Sequence, residues 1–518
     1  MAEALAIKGQ YLLGIGGEKE MEQYRGPDTA VHNLRGKTLL PGLIDGHIHL
    51  LKYGEVAMQI DCFWRSKEDI LRQVREKAGE LGPGEWIVSD FGWNNEIWPD
   101  RAYPTREDLD SAAPDNPVAL GRCDGHMLWV NSKAIELAGI TDVTPSPPGG
   151  EIMKTANGGL TGCMSDNACA AILGKVPPLT PELREKAFLR AQERLFSHGV
   201  TSVTAMSTTT AHIGSLRTLY GRGELKLRIS AALGVLPGEP EDPRWKDYFR
   251  TGPAIDAYDG RFNVRAVKLF ADGSFGSQSA ALFDDYSDRR GYRGKLALTD
   301  EEMYRAVKEA RDNGFQVITH AIGDLANKQV IDAYEHVLNE NWKSDHRFRI
   351  EHFQLVTEEM IERIKKLGVI PGMQAIHAPR SAGMAEKRIG RERASRSYAS
   401  GMPWKRGLIV VGGSDAPSSP LNPFWGIYAA CARRDQDGNP EGGWFPEHCL
   451  SREAALRSYT GWAAYGQFSD HLTGSLERGK MADFIILDRD ILGCEEHRIK
   501  DALVLETFVG GERVFQRE

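Results

Sequence analysis

No uncharged apolar run of about 18 residues, the length a membrane-crossing helix needs, occurs in the 518-residue chain. No basic stripe or basic tail stands out either. The 64 basic and 72 acidic residues are well mixed and leave a formal net charge of −8, which argues against a nucleic-acid partner. Cysteine is scarce. The seven thiols, Cys62, Cys123, Cys163, Cys169, Cys431, Cys449 and Cys494, are scattered, odd in number and without a Cys-x-x-Cys pair. That excludes a disulfide framework and a thiolate zinc site and points to a reducing compartment. The first residues lack a basic region followed by an apolar stretch and a cleavage site, and no internal repeat or low-complexity tract is visible. These absences lead us to expect a cytoplasmic globular protein that acts on a small-molecule substrate, with neither nucleic acid nor membrane as a partner. A homodimer is compatible with them, but no interface is legible.

What remains is the composition of an ordinary enzyme. The chain is 41% hydrophobic and 26% charged, with 55 glycines, which is enough apolar surface for a large core and more turn-forming residue than a helical bundle uses. Short β-branched runs alternate with longer helical patterns through its middle. Leu43–His47, Thr201–Ala205, Arg228–Leu233, Val264–Phe270, Gln316–His320, Arg349–His352, Val369–Met373 and Leu408–Gly412 read as strands; Pro181–His198, Asp300–Asn313 and Thr357–Leu367 read as amphipathic helices. Strands alternating with helices in this number predict an α/β fold, a (β/α)8 TIM-like barrel. Trp86–Asp90 and Val118–Leu120 are also strand-like and are assigned to an insertion after the first barrel strand, at about residues 52–190. Tyr11–Ile15, Val31–Leu34 and Asp483–Asp488 read as strands, and Glu506–Phe515 as a hairpin with a glycine turn. They predict a small β-sandwich domain built from both termini, residues 1–40 and 468–518, around a barrel domain of residues 41–467.

One segment carries chemistry before any other. Pro41-Gly42-Leu43-Ile44-Asp45-Gly46-His47-Ile48-His49 ends an apolar run in two histidines one residue apart. On a strand, residues i and i+2 face the same way. His47 and His49 can therefore direct both imidazoles at one point, and neutral imidazole is the usual ligand of a catalytic divalent metal. Four further candidates sit at the C-terminal ends of expected strands, the face where barrels gather their active sites: Lys268, His320, His352 and Asp415. Each alone has a structural reading. A strand-end histidine can be a hydrogen-bonded core group, Lys268 a salt-bridged strand lysine and Asp415 a helix cap. Six such residues at one end of alternate elements favour a site.

The ordered set resembles the amidohydrolase superfamily, and the words around it resemble the amidohydrolase family 3 branch, which includes N-substituted formamide deformylases. The matching words are Leu40-Pro41-Gly42-Leu43-Ile44-Asp45-Gly46-His47-Ile48-His49, Val267-Lys268-Leu269-Phe270-Ala271-Asp272-Gly273-Ser274, His320-Ala321-Ile322-Gly323-Asp324, Ile350-Glu351-His352-Phe353-Gln354 and Gly413-Ser414-Asp415-Ala416-Pro417. Gly125-His126 with Val130-Asn131-Ser132, and Gly474–Asp483, extend the resemblance over nearly the whole chain. It implies a metal-dependent hydrolase with two divalent ions. His47, His49 and Asp415 would hold the first, His320 and His352 the second, and Lys268 would bridge them as a carbamate. The modification is needed because a free ammonium carries only donors and cannot ligate a cation. A single ion beside an unmodified Lys268 is the alternative. Zinc suits these ligands, and Mn, Fe, Co or Ni would fit the same set.

The reaction so implied is hydrolysis of a carbon–nitrogen bond in an amide, N-acyl or N-formyl amine by a metal-activated water, with Asp415 as general base and then general acid. Trp93, Trp98 and Phe275 are expected to wall an apolar substituent of the substrate, and His126 and His377 to orient its carbonyl. Three other readings compete. The first is a heterocycle aminohydrolase (deaminase); some related deaminases place a glutamate three residues after the histidine of the fifth strand, where this chain has Gly323. The second is an ester, lactone or phosphotriester hydrolase using the same water. The third is a non-catalytic barrel.

Overall fold

Seven segments rich in apolar and β-branched residues are buried on both faces, as parallel strands must be when helices cover them. They are Leu43–Ile48, Val200–Thr208, Arg228–Gly234, Phe262–Phe270, Gln316–Ala321, Arg349–His352 and Ile370–Gly372. The computed structural model describes residues 2–518 except 63–64, 123–126, 148–149, 178, 235–242 and 340–344, with backbone alone at 90, 91, 166, 167 and 243–246. The seven strands pair in parallel, each with its neighbour in the chain.

The eighth position is a single parallel bridge between Gly372 and Val411. The Val411 amide donates to Pro371 O at 3.0 Å, Met373 donates to Val411 O at 2.8 Å, and Gly46 donates to Gly412 O at 2.9 Å. The sheet thus closes into a (β/α)8 barrel, with the expected strand Leu408–Gly412 contracted to one residue. Bare backbone is what permits the closure. A Cβ on Gly46 would lie 2.5 Å from Gly412 O, and one on Gly413 would lie 2.6 Å from His47 N.

Helices Asp300–Asp312, Asp324–Asn339 and Glu358–Leu367 follow the fourth, fifth and sixth barrel strands. The first begins in a reciprocal cap, in which Thr299 Oγ1 accepts from Glu302 N and Glu302 Oε2 accepts from Thr299 N. The last begins at Thr357 and ends on Gly368, whose φ of 70° stops it. No helix among the described residues is long and apolar enough to cross a membrane.

Both termini enter one small β-rich domain. Thr38–Pro41, Phe484–Leu487, Val504–Val509 and Glu512–Gln516 form an antiparallel sheet. The hairpin of Ala4–Lys8 and Tyr11–Gly16 packs beside it, Leu12 exchanging backbone hydrogen bonds with Gly479 and Lys480. Leu12, Ala482, Phe484 and Ile486 make the shared core. Val31–Leu34, expected as a strand, is irregular and largely exposed. The sheet position beside Phe484–Leu487 is taken by Thr38–Pro41 instead, because that segment leads directly into the first barrel strand.

By its internal contacts the chain divides into two compact units, one of residues Met1–Leu50 and Ala191–Glu518, the other of Leu51–Arg190, inserted between the first and second barrel strands. The inserted unit has its own five-stranded sheet, in the order Ile87–Trp93, Val118–Arg122, Met127–Val130, Leu160–Asp166 and Gly150–Lys154. Its core holds Ile70, Val74, Trp93, Trp98 and Trp129.

One buried ion pair ties the barrel to the terminal sheet. Arg228, on the third barrel strand, donates Nε to Asp483 Oδ2 at 2.6 Å and Nη2 to Asp483 Oδ1 at 3.0 Å, and Gly510 N donates to the same Oδ1 at 2.7 Å. Removing one partner strands the other charge in a dry environment, so Arg228→Met is expected to cost about 3–5 kcal/mol. The double variant with Asp483→Leu should recover much of that loss. Urea unfolding midpoints of the wild type, each single variant and the double variant check the ordering.

Candidate metal centre

The first barrel strand and the segment after the eighth are laced together at the barrel mouth. Asp45 Oδ1 accepts from the backbone amides of His47 at 3.1 Å and Ser414 at 3.0 Å. Asp415 N donates to His47 O at 2.7 Å, and His49 N donates to Ala416 O at 3.0 Å. These bonds bring three of the expected residues to one point: Asp415 Oδ1 lies 3.4 Å from His47 Nε2 and 3.3 Å from His49 Nε2. His352, the last residue of the sixth strand, joins them, and the ligating atoms of His47, His352 and Asp415 all lie within 4.8 Å of one another. The ring of His320 is 4.5 Å from that of His352, centroid to centroid, and the ring of His47 is 5.1 Å from it.

Lys268, on the fourth strand, is fully buried with Nζ unpartnered. Its ammonium bears electrostatically on His47, His320 and His352. The structure therefore brings all six residues together. His377 joins as a seventh, its ring stacked 6.2 Å from that of His352 and its Nε2 3.8 Å from Asp415 Oδ2. Two of these positions are held in left-handed backbone, His352 at φ 66° and Asp415 at φ 57°. Side-chain-bearing residues adopt that conformation where the surroundings enforce it, and such strain clusters at functional sites.

The electrostatics suit a cation. Burial, reinforced by the Lys268 charge, pushes His320 down to about 3, and burial with neighbouring His320 holds His352 well below the usual imidazole range. Both rings are therefore neutral and carry a lone pair. Burial works to raise Asp415, but the imidazoles of His47, His49 and His352 outweigh it and hold the carboxyl well below its usual range. His47 Nδ1 lies 2.5 Å from Glu351 Oε2. Burial would raise Glu351, yet Arg349 and His47 draw it down to about 2. An ionised carboxylate only accepts, so His47 Nδ1 donates and Nε2 is the nitrogen turned to Asp415; burial and the Lys268 charge would lower this ring, but Asp415 and Glu351 outweigh them and raise it. His320 Nε2 donates to Gly273 O at 3.1 Å, which leaves Nδ1 as its lone-pair atom. His47 Nε2, His352 Nδ1 and Lys268 Nζ are buried and without hydrogen bonds, and a divalent metal would fit among them. Burial lowers Lys268 to about 8 against the pull of Glu351 and Asp415, which brings the neutral amine that reacts with carbon dioxide within reach of ordinary pH.

Sequence reasoning gave Glu351 no role, although it stands beside His352. It is fully buried between His47 and Arg349, whose Nε donates to Glu351 Oε1 at 2.8 Å and whose Nη2 donates to Gly46 O at 2.7 Å. Gly372, on the seventh strand, makes room for it: a Cβ there would lie 2.5 Å from both carboxylate oxygens. The available signal was strand alternation, which turns Arg349 and Glu351 to one face.

The expected substrate contacts are placed unevenly. Trp93 and Trp98 lie in the core of the inserted unit, 0% and 4% exposed, with indole N–H groups bonded to Leu120 O and Arg65 O; packing accounts for both. Phe275 is buried in a cluster with Tyr398, Leu282 and Ile322. His126 lies outside the described residues.

The sequence profile of the amidohydrolase family matches residues 30–515. A putative amidohydrolase, YtcJ of Bacillus subtilis (strain 168), is 30% identical over 99% of this chain and 96% of its own length. The N-substituted formamide deformylase of Arthrobacter pascens is 26% identical over 100% of this chain and 95% of its own. Among solved structures, an uncharacterised metal-dependent hydrolase from Pyrococcus horikoshii superposes with a TM-score of 0.77 at 28% identity, covering 95% of this chain and 94% of that one.

Because Glu351 orients a candidate ligand, Glu351→Gln is expected to weaken zinc binding about 10–100-fold. Gly372→Ala should do the same by displacing the carboxylate. Zinc affinity from chelator competition, alongside circular dichroism to confirm folding, checks both.

Proposed function

The chain belongs to the amidohydrolase family, and on that footing we propose that it is a metal-dependent hydrolase of non-peptide carbon–nitrogen bonds, acting on an amide, N-acyl or N-formyl amine. One observation carries the reading: Asp415, a buried carboxylate held ionised by imidazoles, faces His47 Nε2 across 3.4 Å. His47, His49 and Asp415 would hold one divalent ion and His320 and His352 a second, with Lys268 bridging as a carbamate; zinc suits the donors. When bound, such ions polarise the scissile carbonyl and make water acidic enough to attack near neutral pH.

The chain's own groups do the rest. Asp415 accepts a proton from the attacking water and returns it to the leaving nitrogen, both tasks falling to one carboxylate because its protonated form persists between them. His377 stands beside Asp415 Oδ2 and supplies a donor for the oxyanion. Glu351 and Arg349 keep His47 from turning while charge moves.

A specific observation speaks against the aminohydrolase alternative. At Gly323, three residues after His320, an added Cβ would overlap Ala281 O, so no acidic side chain fits there to protonate a ring nitrogen. Asp324 beside it is engaged with the amides of Phe283 and Leu325.

Metal analysis of the purified protein, paired with a panel of formamides, acyl amides and heterocyclic amines, tests the proposal. Near two metal equivalents and release of an amine are expected; a metal-loaded enzyme that releases only ammonia from heterocycles would refute it. Asp415→Asn should keep its metal yet lose turnover by about a thousandfold or more, read from kcat beside metal content. Isotopically labelled bicarbonate should give a carbamate signal that Lys268→Ala abolishes.

A further inference from the structure

Beside the candidate centre is a small cavity of about 10 Å³, lined by His352, Gln354, Gln374, His377, Tyr398 and Ser400 together with the apolar Met373 and Ala375. It has room for about one water-sized group. Gln374 is 4% exposed, and neither its Oε1 nor its Nε2 has a hydrogen-bond partner. Gln354, 3% exposed, accepts from Tyr398 N at 2.9 Å through its backbone carbonyl and leaves its side-chain Nε2 unpartnered. Ser400 Oγ is unpartnered as well. Buried carboxamides with both atoms idle are rare in folded proteins, because each unmade bond is destabilising. Two rings of the centre, His352 and His377, form part of the cavity wall.

No barrel requirement explains Gln374. It follows the seventh strand, and its backbone carbonyl already accepts from His377 N at 3.0 Å; its side chain is spare. A carboxamide offers an acceptor and a donor on one planar edge. Its complement is a group that offers a donor and an acceptor together. We infer that Gln374, with Gln354 beside it, is a specificity-determining residue that selects acyl amides bearing a free N–H over N,N-disubstituted amides and esters. The inference rests on the amide-hydrolase reading above and narrows it. A polar site of this kind rejects analogues that leave its groups unpaired more strongly than an apolar pocket rejects a missing methylene.

The test is kcat/KM on zinc-loaded enzyme for formanilide, acetanilide and the matching cyclohexylamides, each beside its N-methyl derivative. Wild type is compared with Gln374→Met, which keeps length and volume but has neither donor nor acceptor, and with Gln374→Glu, which keeps only acceptors. Wild type should prefer the N–H amide by about a hundredfold or more. Gln374→Met should bring that ratio to within about tenfold of unity at unchanged metal content, with Gln374→Glu between the two. Because methionine preserves the volume, a purely steric rejection of the N-methyl group would survive the substitution. A wild-type ratio near unity, or a ratio that Gln374→Met leaves intact, overturns the inference. Should Gln374→Met not retain metal, an unchanged ratio in Gln374→Leu, which also has neither donor nor acceptor, overturns it. Amides cleaved without N–H preference refute this inference alone; no amide cleaved by metal-loaded enzyme refutes the amide-hydrolase reading and this inference with it.

Discussion

Glu351 is a carboxylate sealed inside the barrel mouth, and the site depends on how its charge is held. A lone buried carboxylate would take up a proton sooner than stay ionised there. Arg349, two residues earlier on the same strand face, supplies the compensating charge at 2.8 Å and also reaches Gly46 O on the first strand. The pair therefore spans from the sixth strand to the first and stays ionised. An ionised Glu351 can only accept, which commits His47 to donate from Nδ1 and to present Nε2 toward Asp415. Ring orientation of one candidate ligand, and the nitrogen it turns to Asp415, thus follow from a single buried ion pair. Gly372 belongs to the same device, since any larger residue would occupy the space of the carboxylate.

Closure of the barrel and assembly of the site are one event. Val411 bridges to Gly372 on one side, while Gly412 and Gly413 lie against Gly46 and His47 on the other. The chain that makes this contact carries Asp415 into place, held by Asp45 Oδ1 through Ser414 N. Asp415 stands in left-handed backbone, at φ 57°, where its amide donates to His47 O at 2.7 Å. The same close approach that costs the eighth strand its regular ladder puts a carboxylate oxygen within 3.4 Å of two imidazoles.

The parts of this protein legible in one dimension are those governed by local rules. Barrel strands announce themselves as short β-branched runs, and the His47-x-His49 spacing follows from strand alternation alone. His320, His352 and Lys268 are readable because they end or lie near the end of such runs. Where packing decides, the reading fails. Trp93 and Trp98 look like pocket walls in the sequence, yet they sit in a core of their own with their indole N–H groups bonded to backbone. Val31–Leu34 has strand composition but no partner, because the neighbouring Thr38–Pro41 pairs with Phe484–Leu487 first. Gln374 resembles any loop glutamine until its two side-chain atoms are found idle against a cavity.

Residue chemistry and periodicity suffice to specify a closed α/β barrel, six metal-competent side chains at one end of it, and a small β-rich domain drawn from the two ends of the chain. They act over a few residues, where backbone geometry is nearly invariant. The contact between His47 and Glu351 bridges 304 positions, and no local rule reaches that far. Which nitrogen of His47 faces Asp415, which glycine gives Glu351 its space, and which glutamine is left free to read a substrate were decided only when the sheet closed on itself and distant backbones came within a few ångströms of each other.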